Sequence, residues 1–173
     1  MLKSNIHFIT GGQRSGKSLF AEQEALSIAL IPTYLATSQI WDVDLKKRIE
    51  IHKVRRSKLW VTFEEEIYIS KVESNSGVVL VECITQWLTN IYYSKKFDKV
   101  KTISFAKQEW EKLCKKGFEL IVVSNENNQG RVPTNKIFRS LIDVQGTINQ
   151  YIASMASRVT LVVSGIPIPI KGA

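Results

Sequence analysis

The residues of this chain best suited to chemistry form a glycine-rich loop near its N-terminus. They match the pattern G-x-x-x-x-G-K-[ST] and are, in order, Gly11, Gly12, Gln13, Arg14, Ser15, Gly16, Lys17 and Ser18. Glycines allow such a loop to wrap tightly, so that its backbone N–H groups point inward at phosphate oxygens. The spacing predicts that Lys17 contacts the β- and γ-phosphates of ATP or GTP and that the Ser18 hydroxyl binds Mg²⁺. A glycine-rich turn that happens to precede a helix is the alternative.

A carboxylate should complete the Mg²⁺ site, and in P-loop proteins it usually ends a neighbouring buried strand. The run 78–81 is entirely apolar and is followed directly by Glu82. Acidic residues often follow strands without binding a metal. Because the P-loop is present in the same chain, we predict that Glu82 is a metal ligand and a catalytic residue.

A second reactive group lies in a segment with helical periodicity, residues 45–58. Arg48, His52 and Arg56 are spaced by four residues, so they share one face of a helix. The two arginines would oppose protonation of His52, which keeps its imidazole neutral and nucleophilic near neutral pH, and would attract a triphosphate. From the residues alone, a surface histidine on a solvated basic face is the favoured interpretation.

These residues need a fold that brings them to one place. Apolar, β-rich runs predict strands at 6–10, 33–36, 60–63, 78–81, 120–124 and 159–164, and helical periodicity predicts helices at 17–30, 45–58, 85–93, 100–116 and 134–157. This alternation predicts an α/β fold of the P-loop NTPase type, with a wound, mostly parallel sheet flanked by helices, in a single domain of residues 1–173. Ligands bind such sheets at the carboxyl ends of the strands. The P-loop, Glu82 and the polar triplet Ser124-Asn125-Glu126 all follow strands, so we expect them at the same edge.

Composition narrows the class of protein. The chain has 173 residues, 44% hydrophobic and 23% charged, which is ordinary for a soluble domain. Its net charge of +8 would suit nucleic acid, an anionic membrane, a polyphosphate ligand or simply a solvated surface, but the basic residues are scattered. No apolar run is long enough for a membrane span, and no signal peptide is recognisable. Two cysteines in unrelated contexts, Cys83 and Cys114, suit a reducing cytoplasm and argue against disulfides or a cysteine metal site.

The ordered motifs resemble the bifunctional adenosylcobinamide kinase / adenosylcobinamide-phosphate guanylyltransferase family of cobalamin biosynthesis, over nearly the whole chain. After the P-loop, the resemblance is carried by residues 34–38, Arg48-Ile49, His52-Lys53, Arg56, 60–62, Glu64, 82–85, 88–90, 124–126, Gly130, Val132-Pro133, Asp143, Gly146, Asn149-Gln150 and 162–167. The chain departs from the family pattern at Ile51, Ser57, Asn128 and Ile142. The P-loop is specific by itself, whereas the later segments are specific only as an ordered set.

The resemblance implies an enzyme with two activities. The hydroxyl of the aminopropanol arm of adenosylcobinamide attacks the γ-phosphate of ATP or GTP. GTP then transfers GMP to a histidine with release of pyrophosphate, and the phosphate of adenosylcobinamide phosphate displaces that histidine to give adenosylcobinamide-GDP. The guanylyl-accepting histidine of the family lies in the segment matched by residues 48–56, where His52 is the only histidine. The resemblance therefore reverses the interpretation favoured from the residues alone.

The resemblance also implies further nucleotide-binding residues, namely Thr37, Ser38, Arg48, Lys53, Arg56 and Glu64. It implies ATP and GTP as substrates, Mg²⁺ as cofactor and a homotrimer. We also expect a cytoplasmic location, no nucleic-acid partner and no stable membrane insertion.

Three other classes of protein remain as alternatives. The first is a P-loop small-molecule kinase or ATPase of another pathway without the transferase step. A regulatory GTPase would need the guanine-reading pattern N-K-x-D, but Asn135-Lys136-Ile137-Phe138 lacks the aspartate. A nucleic-acid-binding ATPase is motivated only by the net charge, and its affinity for oligonucleotides would fall steeply with salt.

Overall fold

The computed structural model describes residues 5–38, 59–126 and 133–172. In chain order its strands are β1 (Ile6–Gly11), β2 (Thr33–Ala36), β3 (Val61–Glu64), β4 (Val78–Glu82), β5 (Glu119–Asn125), β6 (Arg158–Val163) and β7 (Ile166–Lys171). The helices are α1 (Lys17–Ile28), α2 (Ile84–Ser94), α3 (Lys99–Cys114) and α4 (Lys136–Met155), with a short 3-10 helix at Ile69–Lys71. The expected helix at 45–58 lies outside the described residues.

The strands form one seven-stranded sheet with the order β3-β2-β4-β5-β1-β6-β7. All neighbouring strands run parallel except β6 and β7, which are antiparallel. The predicted α/β fold with a wound, mostly parallel sheet is therefore confirmed. All residues of β1 are buried, as are the four residues of β4 before Glu82. Strands buried on both faces are expected to be continuously apolar, which is the pattern the sequence shows.

Helices cover both faces of the sheet. On one side α1 packs through Ala21 and Ala25 against alternate strand residues such as Leu80 and Val123, and we call this side the α1 face. On the other side α2, α3 and α4 pack against the intervening strand residues, such as Val81. Successive residues of a strand point to opposite faces, so one strand supplies both apolar clusters.

The tryptophans of α2 and α3 are packing residues. Trp87 and Trp110 are both fully buried in the larger apolar cluster. The Trp87 indole also donates a hydrogen bond of 2.8 Å to the carbonyl oxygen of Ile67. Neither ring is exposed as a stacking platform for bases.

Two helices begin at side-chain caps that set their limits. The side chain of Asn135 accepts hydrogen bonds from the backbone N–H groups of Ile137 and Phe138, at 2.9 and 3.2 Å, at the start of α4. The Asp98 carboxylate accepts one from the Lys101 N–H at 2.9 Å at the start of α3. Such caps satisfy N–H groups that have no partner within the helix. The asparagine considered above for guanine recognition therefore caps a helix.

Strand β7 and the short 3-10 helix were not expected from the sequence. Strand β7 has the sequence IPIPIK and is exposed along its whole length. Its prolines lack the N–H needed in a sheet ladder, which normally argues against a strand. The strand forms at the sheet edge, where it has only one neighbour. No helix among the described residues has both the length and the apolar character needed to cross a membrane.

Candidate active site

The P-loop connects β1 to α1 in the strand–loop–helix order that the motif requires. Within it, the Ser15 N–H donates to the Gly12 carbonyl oxygen at 3.2 Å, and the Phe20 N–H of the first helical turn donates to the Gly16 carbonyl oxygen at 3.1 Å. Gly16 has a φ of +94°, a conformation that side chains with a Cβ rarely adopt. The loop is therefore a tight turn that opens directly onto the N-terminus of α1, where anions are stabilised.

The turn between β6 and β7 supports this loop from below. A Cβ placed on Gly11 would lie 2.5 Å from the Val162 carbonyl oxygen of β6, and one on Gly16 would lie 3.1 Å from the Cα of Gly165. The Gly165 N–H donates to the Ser15 carbonyl oxygen at 2.8 Å. Sequence reasoning did not assign this role to the turn, although the resemblance included residues 162–167.

Lys17 lies inside the loop. Its side chain is only 7% exposed, and its Nζ donates to the Gly12 carbonyl oxygen at 3.0 Å. Burial lowers the pKa of Lys17, while the negative charge of Glu82 acts in the opposite direction. A cation with so little solvent around it interacts strongly with any anion that enters the loop.

Ser18 and Glu82 meet at the mouth of the loop. The Ser18 hydroxyl donates to Glu82 Oε1 at 2.7 Å, although the two residues come from different elements, α1 and the end of β4. Hydroxyl and carboxylate oxygens are the protein ligands that Mg²⁺ takes beside phosphate oxygens and water. The pair therefore fits the predicted Mg²⁺ site. Next to it, burial raises the pKa of the Cys83 thiol to about 11, which keeps this thiol protonated near neutral pH.

The strand register places Glu64 near the same site. Ala36 of β2 is paired with both Glu64 of β3 and Glu82 of β4, so the two carboxylates lie level with each other at the carboxyl edge. Phe63 packs into the cluster on the opposite face, which puts Glu64 on the α1 face together with Glu82. Its predicted contact with a nucleotide remains a prediction.

Thr37 holds the end of β2 against the end of β4. Thr37 is fully buried. Its hydroxyl is the donor to two backbone carbonyl oxygens, that of Glu82 at 3.1 Å and that of Cys83 at 2.9 Å. The Asn90 amide in turn donates to the Thr37 carbonyl oxygen at 2.7 Å. These contacts position Glu82, whereas the nucleotide-binding role predicted for Thr37 and for the half-buried Ser38 remains untested.

The end of β5 is tied to both the P-loop and α2. Asn125 is paired with Gly11 in the sheet, and the Glu126 N–H donates to the Gly11 carbonyl oxygen at 2.9 Å. On the other side, the Asn125 N–H donates to Thr85 Oγ1 at 3.1 Å. The polar triplet 124–126 therefore lies at the same edge as the P-loop, as expected.

Polar side chains of α4 complete this anchor. The Gln145 amide donates to the Asn125 carbonyl oxygen at 2.6 Å and to Thr85 Oγ1 at 3.0 Å. The Asn149 amide donates to the same carbonyl at 3.2 Å and accepts from the Ser124 hydroxyl at 2.7 Å. Sequence reasoning gave Gln145 and Thr85 no role. The available signal was that Gln145 lies one residue after Val144 and four before Asn149 on a buried helix surface, where polar side chains need partners.

His7 lies within β1 and is buried. It is 3% exposed, its Nε2 lies 2.8 Å from Thr160 Oγ1, and its Nδ1 lies 3.2 Å from Glu24 Oε2. Burial lowers its pKa, and the nearby positive charge of Arg158 adds to this effect, while Glu24 opposes it. By contrast, Arg48, His52, Lys53 and Arg56 lie outside the described residues, so the roles predicted for them remain predictions.

Comparison with known proteins identifies close relatives over almost the whole chain. A family model described as "Cobinamide kinase / cobinamide phosphate guanyltransferase" matches residues 7–170. The "Bifunctional adenosylcobalamin biosynthesis protein CobP" of Pseudomonas aeruginosa is 37% identical over 168 residues, which cover 95% of this chain and 96% of the relative. The corresponding proteins named CobU are 35% identical in Escherichia coli and 34% identical in Salmonella typhimurium, each covering 94% of this chain and 98% of the relative.

Proposed function

Because the chain belongs to the cobinamide kinase / cobinamide phosphate guanyltransferase family, we propose that both activities are carried out at the carboxyl edge of its sheet. The chain is an enzyme of adenosylcobalamin biosynthesis with kinase and guanylyltransferase activity. The observation that carries the assignment to this edge is the 2.7 Å contact between Ser18 and Glu82. It joins the P-loop to a strand-ending carboxylate, as phosphoryl transfer requires.

The kinase step uses the P-loop. The hydroxyl oxygen of the aminopropanol arm of adenosylcobinamide forms a bond to the γ-phosphorus of ATP or GTP. The bond from that phosphorus to the β,γ-bridging oxygen breaks, the nucleoside diphosphate leaves, and the hydroxyl proton passes to solvent. Lys17 is buried within the loop and offsets negative charge on the transferring phosphates.

Ser18 and Glu82 are the residues that would hold Mg²⁺. When bound, the ion neutralises charge on the β- and γ-phosphates and orients them. The chain's own contribution is to hold these two oxygens together, and Thr37 assists by binding the backbone carbonyls of Glu82 and Cys83.

The guanylyltransferase step uses His52. Its neutral imidazole nitrogen forms a bond to the α-phosphorus of GTP, the bond to the α,β-bridging oxygen breaks, and pyrophosphate leaves. A phosphate oxygen of adenosylcobinamide phosphate then attacks the same phosphorus and displaces the imidazole, which gives adenosylcobinamide-GDP. Arg48, Lys53 and Arg56 would bind the phosphates of GTP. This assignment is supported by the family resemblance and by the end of β2, where Ala36 is level with Glu82 and the chain continues through Ser38 toward His52.

The kinase assignment is tested by supplying adenosylcobinamide, Mg²⁺ and ATP, with and without GTP, and separating the corrinoid products by chromatography. We expect adenosylcobinamide phosphate without GTP and adenosylcobinamide-GDP with it. Lys17→Ala should lower kinase turnover by about 100-fold or more. Lys112→Ala is the matched control, because Lys112 is an exposed lysine of α3 paired with Glu109. Kinase turnover of Lys17→Ala within a few-fold of wild type would refute the assignment.

The transferase assignment is tested with GTP labelled in its α-phosphate. A bifunctional enzyme retains the label covalently, whereas a simple P-loop kinase or ATPase of another pathway does not.

We also propose a cytoplasmic homotrimer that binds these small molecules and no nucleic acid. Light scattering on the purified protein measures its oligomeric state, and a monomer at micromolar concentration would contradict this part of the proposal.

A further inference from the structure

Asn125 lies at the candidate active site, and its backbone and its side chain differ in their contacts. Its backbone is held on both sides, by Thr85 through the N–H and by Gln145 and Asn149 through the carbonyl oxygen. Within residues 5–38, 59–126 and 133–172, its side-chain amide makes no hydrogen bond, and the residue is only partly buried. An asparagine fixed so firmly through its backbone has a side chain available for a ligand.

The alternation of side chains along β5 determines which face of the sheet the Asn125 side chain lies on. In β5, Ile121 and Val123 pack into the cluster on the α1 face, and Leu120 and Val122 pack on the opposite face. Alternation therefore places the Asn125 side chain on the α1 face. Side chains alternate in β4 as well. Leu80 packs on the α1 face, so Glu82, two residues later, lies on that face too.

The strand order places Asn125 between the two known parts of the site. Strand β5 lies between β4, which ends at Glu82, and β1, which ends at Gly11. Adjacent strands are about 4.8 Å apart. Asn125 is level with Gly11 of β1, whereas Glu82 is level with Val123, so Asn125 lies one strand away from each and two residues further toward the carboxyl edge than Glu82. The γ-phosphate of a nucleotide bound in the P-loop would have to lie near the Ser18–Glu82 pair, over this strand end.

We propose that the side-chain N–H of Asn125 donates a hydrogen bond to the γ-phosphoryl group during transfer, which makes Asn125 a catalytic residue of the kinase step. The inference rests on the proposed kinase function. As the substrate oxygen bonds to phosphorus and the β,γ-bridging oxygen leaves with the nucleoside diphosphate, negative charge is spread over the phosphoryl oxygens. A neutral donor held in place stabilises that charge without itself gaining or losing a proton, and the substrate hydroxyl proton goes to solvent.

Two variants of the enzyme test this role. Asn125→Ala keeps the backbone N–H and carbonyl groups that bind Thr85 and Gln145, so we expect its melting temperature within about 2 °C of wild type. Its kinase kcat should fall by about 100-fold, and its KM for ATP should change by less than about 3-fold. Asn125→Asp has the same size but replaces the donor with an acceptor of negative charge, so its kcat should be no higher than that of Asn125→Ala.

Asn5→Ala is the matched control. Asn5 is an exposed asparagine at the opposite, amino-terminal end of β1, where it contacts Ser157, and its loss should leave turnover unchanged. The isosteric Asn125→Asp variant separates the catalytic role from a packing role, because packing alone would tolerate it. Wild-type kcat in folded Asn125→Asp or Asn125→Ala, or a rise in KM with unchanged kcat, would overturn the proposal. If those variants keep wild-type turnover while Lys17→Ala is inactive, only the role of Asn125 fails; a wild-type protein without kinase activity would refute the proposed function itself.

Discussion

The contact between the P-loop and strand β6 can be tested with a single methyl group. In Gly11→Ala, the new Cβ would lie 2.5 Å from the Val162 carbonyl oxygen and 2.7 Å from Ser15 Oγ. The serine side chain can rotate away, but the carbonyl belongs to a strand paired with β1 and cannot move without disturbing the sheet. Either β1 and β6 separate locally or the loop shifts, and both would also lower kinase turnover.

The size of the effect follows from two opposing contributions. Forcing an extra methyl group into a packed site costs about 1–3 kcal/mol of unfolding free energy. Replacing glycine by alanine restricts the unfolded chain, which by itself raises the free energy of unfolding by about 0.4–1 kcal/mol. A net loss of about 1–2 kcal/mol lowers the melting temperature of a domain of this size by roughly 2–8 °C.

The neighbouring glycine provides the control. A Cβ on Gly12 would meet no heavy atom within 4 Å, and its φ is not in the left-handed region. Gly12→Ala should therefore melt at or slightly above the wild-type temperature in scanning calorimetry without nucleotide. Equal melting temperatures for the two alanine variants would refute the argument, because it depends entirely on the close approach at Gly11.

Three further predictions concern individual side chains. Glu82→Gln should keep the fold, because the amide oxygen can still accept from Ser18, but kinase turnover should fall by about 100-fold at a fixed Mg²⁺ concentration; unchanged turnover and Mg²⁺ dependence would contradict the metal role. His52→Asn should abolish a GMP adduct that is stable in base and labile in acid, yet retain phosphorylation of adenosylcobinamide, and peptide mapping of the label to any other residue would disprove the assignment. Burial lowers the pKa of His7 below its usual 6.5, so the unfolded chain binds the proton more readily and stability is lost as pH falls below that value. Urea titrations between about pH 7.5 and about pH 5.5 should show this loss in wild type and a smaller one in His7→Gln, and equal losses would exclude His7 as the cause.

Much of this protein was predictable from contiguous residues. The P-loop motif, the apolar runs and the helical periodicity are local patterns, and they correctly predicted a mostly parallel sheet with the P-loop between β1 and α1. They also predicted that Glu82 ends a buried strand, because a run of apolar residues closed by a carboxylate needs no partner to be recognised. The predicted limits of the helices were less accurate, because α3 and α4 begin at the caps formed by Asp98 and Asn135.

Strand β7 shows where local patterns failed. Two prolines in six residues disfavour a strand, but they are tolerated here because the strand lies at the sheet edge. An edge position is a property of the assembled sheet and not of the segment. The roles of Thr85 and Gln145 are also properties of the assembled fold. Their side chains form these hydrogen bonds only when α2 and α4 pack against the end of β5.

The chain order of the strands does not determine their order in space. Local patterns identify the residues that can bind phosphate: the glycines of the loop, Lys17, Ser18 and a strand-ending glutamate. The position of β5 between β4 and β1, which brings Asn125 between Glu82 and the P-loop, is visible only in the folded chain. The reason is that strand pairing depends on hydrogen bonds and packing between segments far apart in the chain, and these contacts leave no pattern within any one of them.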